Sequence, residues 1–354
     1  MYHTDVFTTG LSVSVDWLAF TVLYDSYTVS DVISFLGFDS SQFSLMPRGA
    51  MGYKSMQNLD GYGLSVLSDG NTDMGIHVNI TGSAVGHVLQ MYAKKHMDVE
   101  PFGGREVFGV DDFAQTVLTK FLSDVCRLGQ ISRLDLAIDD AGEKVHFTLD
   151  DVTMHLSEGR VVSKFRQYTN NVSRKINDGT MTGGTIYFGS GQSDVRLRVY
   201  DKQLEHNTKH PEEPVSHPWV RWEFQLRNSR AQAAVRYLLE GLSLGEAAAA
   251  ILNNYIRFIE LDDSNRSRCS TTADWDNFVG CVGRLSLTVK AVPKTLDDKR
   301  NWIKEQVLPT LTGIIIADSG MFDIITENWD ASVMRMKSDL VALVDAALKT
   351  GPTS

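Results

Sequence analysis

The sequence predicts an α+β protein of two successive units that mix strands and helices, followed by a mostly helical C-terminal region. Two observations carry this prediction. Short runs that alternate apolar and polar residues, as half-buried strands do, are separated by segments with the apolar spacing of helices. The same order of elements then returns in the second half of the chain. Two antiparallel sheets or one continuous sheet would both satisfy this pattern.

The first unit begins with an alternating strand and continues as helix, strand, strand, helix. These elements are LSVSVDWLAFTVLY (11–24), DVISFLGF (31–38), GYGLSVLSD (61–69), GIHVNITG (75–82) and AVGHVLQMYAKKH (84–96). In the first strand, the alternation predicts Ser12, Ser14 and Asp16 on one face and Val13, Val15 and Trp17 on the other.

The second unit repeats this outline after an amphipathic helix at 111–129. Its elements are a strand at 131–140, a helix at 150–159, a strand pair at 185–189 and 195–202, a strand at 218–228, and a helix from 231 to about 241. The Pro-rich segment 206–218 predicts a surface loop. We therefore expect a catalytic region over 1–240, divided into units 1–110 and 111–240, and a mainly helical region over 241–354.

Composition restricts the class of protein. Of the 354 residues, 43% are hydrophobic and 22% charged, which is typical of a globular protein. The three cysteines share no spacing that indicates disulfides or zinc, and no apolar run is long enough to span a membrane, so we expect a cytoplasmic protein. The net charge is −10, but residues 160–230 hold twelve Lys or Arg against seven Asp or Glu, a local excess of +5. A local basic face of this kind suits an anionic partner.

Three predicted strands carry polar side chains along one face. Alternation places the following on those faces: Arg133, Asp135 and Asp139; Arg198, Tyr200 and Lys202; Arg221, Glu223, Gln225 and Arg227. An ordinary sheet with one face in water has the same pattern. These residue types are also the ones that phosphoryl transfer requires.

In-line attack on a phosphodiester needs a nucleophile, cationic donors for the non-bridging oxygens and, commonly, a divalent cation. Asp135 and Glu223, with Asp139 as a third candidate, are oxygen ligands of the type that Mg²⁺ or Mn²⁺ prefers. Tyr200 is the candidate nucleophile. Arg198 and Lys202 beside it would stabilise a phenolate.

The order and content of these segments resemble the replication initiation factor family (Rep_trans). The resemblance rests on Arg133-x-Asp135-x-Ala137-x-Asp139, on TIYFGS (185–190) followed by RVYDK (198–202), and on Arg221-Trp222-Glu223, and it extends over roughly residues 11 to 310. It implies two ferredoxin-like units of βαββαβ type. It also implies metal-dependent nicking of one DNA strand at an origin, with the strand's 5′-phosphate left on a tyrosine and a free 3′-hydroxyl for a polymerase.

By motif position the family's nucleophile falls on Tyr200, with Tyr187 as the second candidate. The resemblance implies DNA in single-stranded or hairpin form as a partner, with a host helicase and polymerase, and a homodimer is conceivable. Rolling-circle initiation on a plasmid or phage is the leading interpretation. The alternatives are a relaxase of an integrative conjugative element, a DNA-binding protein without catalysis, and a Mg²⁺-dependent hydrolase of small phosphate esters.

Overall fold

A computed structural model of the protein describes residues 10–22, 27–71, 73–97 and 111–283, together with 303–319, 322–336 and a few single positions of the C-terminal region. The chain divides into two compact units. One comprises residues 8–99 and 107–290, and the other comprises 1–7, 100–106 and 291–354. The larger unit contains every strand described below.

The larger unit is built on one ten-stranded antiparallel sheet. In chain order the strands are β1 (Gly10–Val22), β2 (Phe43–Leu45), β3 (Ser55–Leu59), β4 (Leu64–Ser68), β5 (Ile76–Thr81), β6 (Gly129–Ala141), β8 (Tyr168–Arg174), β9 (Met181–Phe188), β10 (Val195–Asp201) and β11 (Trp219–Arg227). Their order across the sheet is β2-β3-β4-β5-β1-β6-β11-β10-β9-β8. Two short strands, β7 (Val161–Ser163) and β12 (Ile256–Phe258), pair separately.

Helices occupy the connections between these strands. In the larger unit they are α1 (Val29–Phe35), α2 (Ser83–His96), α3 (Asp111–Leu128), α4 (Leu149–Ser157), α5 (Lys202–Lys209), α6 (Asn228–Leu239), α7 (Leu244–Tyr255) and α8 (Ala273–Val282). The smaller unit contains helices at Leu308–Ala317, Asp323–Thr326 and Trp329–Met334. No helix in the described residues is long and apolar enough to cross a membrane.

The order of the strands confirms two ferredoxin-like units in one sheet. The run β1-α1-β4-β5-α2-β6 has the sheet order β4-β5-β1-β6, which is the ferredoxin-like arrangement of a βαββαβ unit. The second half repeats this sheet order as β10-β11-β6-β1, although its fourth strand, β1, comes from the start of the chain. The two units therefore share the central antiparallel pair β1 and β6, and β2 and β8 occupy the equivalent outer edges.

One face of the sheet is apolar and packs against the helices. On this face β6 and β11 carry buried apolar side chains, namely Leu134, Leu136, Ile138, Trp222, Phe224 and Leu226. Helices α3 and α6 pack on β6, and α2 packs on β1 and β5. The opposite face carries the polar side chains that alternation predicted.

The core continues past residue 240, where the sequence predicted a boundary. Trp222 of β11 packs against Trp275 and Phe278 of α8, with ring centroids 5.7 and 5.5 Å apart. Leu244 and Leu252 of α7 are fully buried in the same cluster. The compact unit extends to residue 290 because α7 and α8 supply part of its hydrophobic core.

The segment predicted as a surface loop at 206–218 begins inside a helix. Helix α5 is capped by Asp201, whose side chain accepts a hydrogen bond from the Leu204 amide, and Glu205 pairs with Lys209 one turn later. These polar contacts stabilise a helix that buries no residue, so apolar spacing could not predict it. Strands β2, β3 and β8 were not predicted either; all seven residues of β8 are exposed.

Candidate active site

Strands β6, β11 and β10 are adjacent, and their register places the polar residues in two rows. Arg198 lies opposite Glu223, and Glu223 lies opposite Ala137 of β6. In the next row, Tyr200 lies opposite Arg221, and Arg221 lies opposite Asp139. The sheet thus brings together residues that are far apart in sequence.

Tyr200 and Glu223 are in direct contact. The Tyr200 hydroxyl donates a hydrogen bond to Oε2 of Glu223 at 3.2 Å, and Nη2 of Arg198 donates to Oε1 of the same carboxylate. Glu223 is fully buried. The Glu223 carboxylate is therefore placed to accept a proton from the Tyr200 hydroxyl.

The environment of Tyr200 raises the pKa of its hydroxyl instead of lowering it as the sequence suggested. Burial is the main cause, and the negative charges of Glu223 and Glu205 add to it, against the opposing charge of Arg221. Arg198 is engaged by Glu223, and Lys202 forms an ion pair with Glu205. If this tyrosine acts as a nucleophile, it requires a proton acceptor, and the Glu223 carboxylate is the group that its hydroxyl contacts.

Asp135 lies one row from Glu223 on the same face and is buried. It accepts two hydrogen bonds from Arg133, from Nε at 2.9 Å and from Nη2 at 2.6 Å. Burial nevertheless raises the pKa of Asp135 to about 6; Arg133 opposes this shift, and the charges of Glu223 and Asp16 reinforce it. The charge of Glu223 thus adds to the effect of burial on Asp135, while Arg133 pairs with Asp135 and Arg198 pairs with Glu223.

Asp139, the third candidate ligand, is committed to a buried ion pair. Its carboxylate accepts hydrogen bonds from Nε and Nη2 of Arg221 at 2.6 and 2.8 Å, and from Nε1 of Trp219 at 2.8 Å. Asp16 accepts a further bond from Nη1 of Arg221 at 3.0 Å. Both carboxylate oxygens of Asp139 are thus engaged in hydrogen bonds.

Several buried polar atoms around Ala137 make no hydrogen bond. They are Oε1 of Gln225, Oγ of Ser14 and Nε of Arg198. Ser14 and Glu223 are the cross-strand neighbours of Ala137, which has a small side chain. Unsatisfied buried polar atoms are costly and commonly mark the place of a ligand. No group of three His, Cys, Asp or Glu side chains in the described ranges is placed to hold a metal.

Lys202 and Tyr187 lie at the margin of this site. Lys202 is the first residue of α5 rather than a strand residue, yet its Nζ is 5.8 Å from the centroid of the Tyr200 ring. Tyr187 of β9 lies opposite Arg198, and the guanidinium of Arg196 stacks over its ring at 4.2 Å. Both remain on the polar face beside the candidate nucleophile.

The first half of the duplication has no equivalent chemistry. When the strand pair β4–β5 is matched to the pair β10–β11, Leu67 takes the position of Tyr200, His77 that of Arg221, and Asn79 that of Glu223. His77 contacts Thr21 and Asn79 accepts a bond from Trp17, so neither approaches the tyrosine. The candidate nucleophile and the carboxylate it contacts therefore come from the second half, and the central strand β1 contributes Asp16 and Ser14.

Sequence reasoning left Arg221, Gln225 and Asp16 without a role. Alternation had placed Arg221 and Gln225 on the correct face, but their cross-strand partners depend on register. Asp16 and Trp17 were expected on opposite faces, yet both contact residues of the polar face, because an irregularity between Val15 and Trp17 shifts the pairing of β1. Such a bulge leaves no clear signal in the sequence.

Together the fold and the site define a class of protein: a duplicated antiparallel α+β sheet that carries a buried tyrosine, carboxylates and arginines suited to phosphoryl transfer. The chain belongs to the replication initiation factor family, whose model matches residues 129–328. That range contains Asp135, Tyr200 and Glu223.

Two similar proteins support this membership. The chain is 37% identical over 193 residues to "Putative DNA relaxase NicK" of Bacillus subtilis (strain 168), a match that covers 54% of each chain, so it spans about half the length of this curated relative. It also superimposes with a TM-score of 0.64 and 28% identity on the structure of a rolling circle replication initiator protein from Geobacillus stearothermophilus, covering 80% of this chain and all of that one.

Proposed function

We propose that this protein initiates rolling-circle replication by nicking one DNA strand with the hydroxyl of Tyr200. The observation that carries the proposal is the hydrogen bond from Tyr200 to the buried carboxylate of Glu223. The phenolic oxygen attacks phosphorus and its proton passes to Glu223, while the bond to the 3′-oxygen breaks and that oxygen takes up a proton from water. The products are a 5′-phosphotyrosine and a 3′-hydroxyl.

Arginines supply the electrostatic part of this reaction. Nε of Arg198 is buried without a protein partner and can donate to a non-bridging phosphate oxygen. Arg221, fully buried behind Tyr200, is the charge that favours the phenolate. Donors held in place before the reaction stabilise developing charge at little reorganisation cost.

Asp135 and Glu223 are the residues we propose to hold a divalent cation, Mg²⁺ or Mn²⁺. The fit rests on the two neighbouring carboxylates and on the oxygens of Gln225 and Ser14 that make no hydrogen bond, an all-oxygen donor set of the kind these ions prefer. The cation would replace contacts of Arg133 and Arg198 with the two carboxylates. A bound cation would neutralise charge on the phosphate oxygens. Asp139 is the weaker candidate because Trp219 and the fully buried Arg221 both hold it. The arginines that pair with Asp135 and Glu223 are partly exposed and would be easier to displace.

DNA in the cytoplasm of a bacterial host is the proposed substrate. The 3′-hydroxyl would serve a polymerase, and unwinding beyond the nick would require a helicase, so both are proposed partners. We also propose a homodimer, and light scattering of the purified protein would give the molar mass that tests it. The second candidate function is that of a relaxase of an integrative conjugative element, and the similarity to NicK favours it. A relaxase would use the same chemistry.

Covalent transfer of a labelled oligonucleotide end to the protein tests the nicking directly, and it does not require the sequence of the origin to be known. A pool of single-stranded oligonucleotides with a randomised centre is incubated with the protein and Mn²⁺, and adducts are isolated under denaturing conditions and sequenced. We expect a 3′-terminal label to move with the protein and a 5′-terminal label to be released. A protein that shifts DNA on native gels but captures neither label would be a binding protein without catalysis.

A further inference from the structure

The hairpin of β8 and β9 forms an edge of the sheet that the proposed chemistry does not use. All seven residues of β8 are exposed, and the strand pairs only with β9. At about 3.4 Å per residue, β8 extends for roughly 23 Å. An exposed edge strand of this length invites association unless it serves an interaction.

The tip of this hairpin is ordered and presents an apolar side chain. The Lys175 amide donates to the Thr180 carbonyl at 2.8 Å, and Nη1 of Arg174 donates to the Gly179 carbonyl at 3.1 Å. Between them Ile176 is fully exposed, at 105% of its reference area. A rigid turn therefore holds one isoleucine in solvent.

The two faces of the hairpin differ in chemistry. The register places Thr169 opposite Tyr187 and Asn171 opposite Thr185, the residue opposite Tyr200, so small polar side chains continue the catalytic face. The other face carries Tyr168 and Val172, which are 42% and 48% exposed. One face thus suits a polar backbone that leads to Tyr200, and the other suits stacked bases.

Charge favours an anionic partner for the hairpin tip. Within the hairpin, Arg174 and Lys175 stand against the single acid Asp178, and Lys164 and Arg166 precede it, in a protein whose net charge is −10. The surface of this hairpin is therefore complementary to phosphate, in contrast to the chain as a whole.

We infer that the β8–β9 hairpin is a pin that separates the strands of duplex DNA beside the active site, with Ile176 wedged between base pairs. The strand to be cut follows Thr169 and Asn171 towards Tyr200, and the other strand passes over Tyr168 and Val172. Apolar side chains inserted between base steps unstack duplexes in other DNA-binding proteins. This inference rests on the proposed nicking function for its biological purpose.

Ile176→Ser tests the pin, with Leu45→Ser as the matched control. Leu45 is 71% exposed on β2, the equivalent edge strand of the first half. The substrates carry the cleavage sequence recovered from the randomised pool, as a single strand, as a duplex and as a duplex with an unpaired bubble. We expect Ile176→Ser to cut the duplex about tenfold more slowly, because no apolar side chain then offsets the lost base stacking, and to cut the other two substrates normally. Leu45→Ser should match the wild type on all three.

A second readout separates the pin from the chemistry. In the Tyr200→Phe background, 2-aminopurines spread along a duplex pool with a randomised centre should brighten when the protein binds, and Ile176→Ser should remove this signal. Equal cutting of duplex and single strand by Ile176→Ser, an equal loss on all substrates, or unchanged 2-aminopurine fluorescence would each overturn the pin. Failure of nicking with retained 2-aminopurine brightening would overturn the proposed function alone.

Discussion

The hydroxyl of Tyr200 lies 3.2 Å from Oε2 of Glu223, across the antiparallel pair of β10 and β11. Because burial raises the pKa of the phenol, the tyrosine is protonated at neutral pH and needs a base at the moment of attack. Glu223 is oriented for that role by Arg198, which holds its other oxygen. The proposed nucleophile, base and phosphate donor therefore form one hydrogen-bonded group.

Glu223→Gln should retain the hydrogen bond from Tyr200 but lose the ability to accept its proton. We expect adduct formation to fall about a hundredfold or more, the usual contribution of a general base, with little change in the melting temperature. Glu205→Gln is the control, because Glu205 is a nearby acid that pairs with Lys202 and Lys209 instead of the tyrosine. Equal rates for Glu223→Gln and the wild type would assign the base elsewhere.

Asp135 should make the metal-free protein less stable as pH rises from about 4 to 6. Burial raises its folded pKa to about 6 from an ordinary value of 3.8, so in this window the native state holds a proton that the unfolded state has released. The protonated Asp135 stabilises the folded state by up to about 3 kcal/mol at low pH, and this stabilisation is lost as the pH rises through 6. Above that pH, Asp135 no longer changes the free energy of unfolding.

Urea unfolding in EDTA, compared between the wild type and Asp135→Asn, isolates this contribution from the other acids. The difference in unfolding free energy should change between pH 4 and 6 and level off above. A difference that is flat over the whole range would mean that Asp135 has an ordinary pKa. In the presence of Mn²⁺ the wild type alone should gain stability as Asp135 ionises.

Asp139→Ala should affect folding more than metal binding. Its removal leaves Arg221 fully buried with only Asp16 as an acidic partner, a change that typically costs about 3 kcal/mol. Calorimetric titration should give unchanged Mn²⁺ affinity in the folded fraction. Asp263→Ala, which breaks an exposed pair with Arg268, should leave stability nearly unchanged. A large loss of Mn²⁺ affinity in Asp139→Ala would make Asp139 a ligand after all.

A chain that ends at residue 290 should fold, whereas one that ends at 240 should not. Residues 1–240 lack α7 and α8, so Trp222 would lose its contacts with Trp275 and Phe278 and expose much of the core. Circular dichroism melting distinguishes the two: we expect a cooperative transition only for 1–290. A cooperative transition in 1–240 would restore the boundary predicted from the sequence.

Much of this architecture follows from local patterns. Alternation predicted the polar faces of β6, β10 and β11, because successive side chains of a strand point to opposite faces. It did not predict that the polar face of β6 and β11 is buried as well. The missed elements lack that signal: β8 is exposed on both faces, and α5 is held by polar pairs. The sequence could not show that Glu223, rather than Lys202, makes the closest contact with Tyr200, since strand order and register bring them together.

Mass spectrometry of the trapped DNA adduct tests the role of Tyr200 most directly. Trypsin places Tyr200 in the peptide 199–202 and Tyr187 in 176–196, so the two candidates separate cleanly. We expect the nucleotide remnant on 199–202, no adduct from Tyr200→Phe, and a normal adduct from Tyr187→Phe. A remnant on 176–196, or on any residue other than Tyr200, would contradict the assignment of the nucleophile.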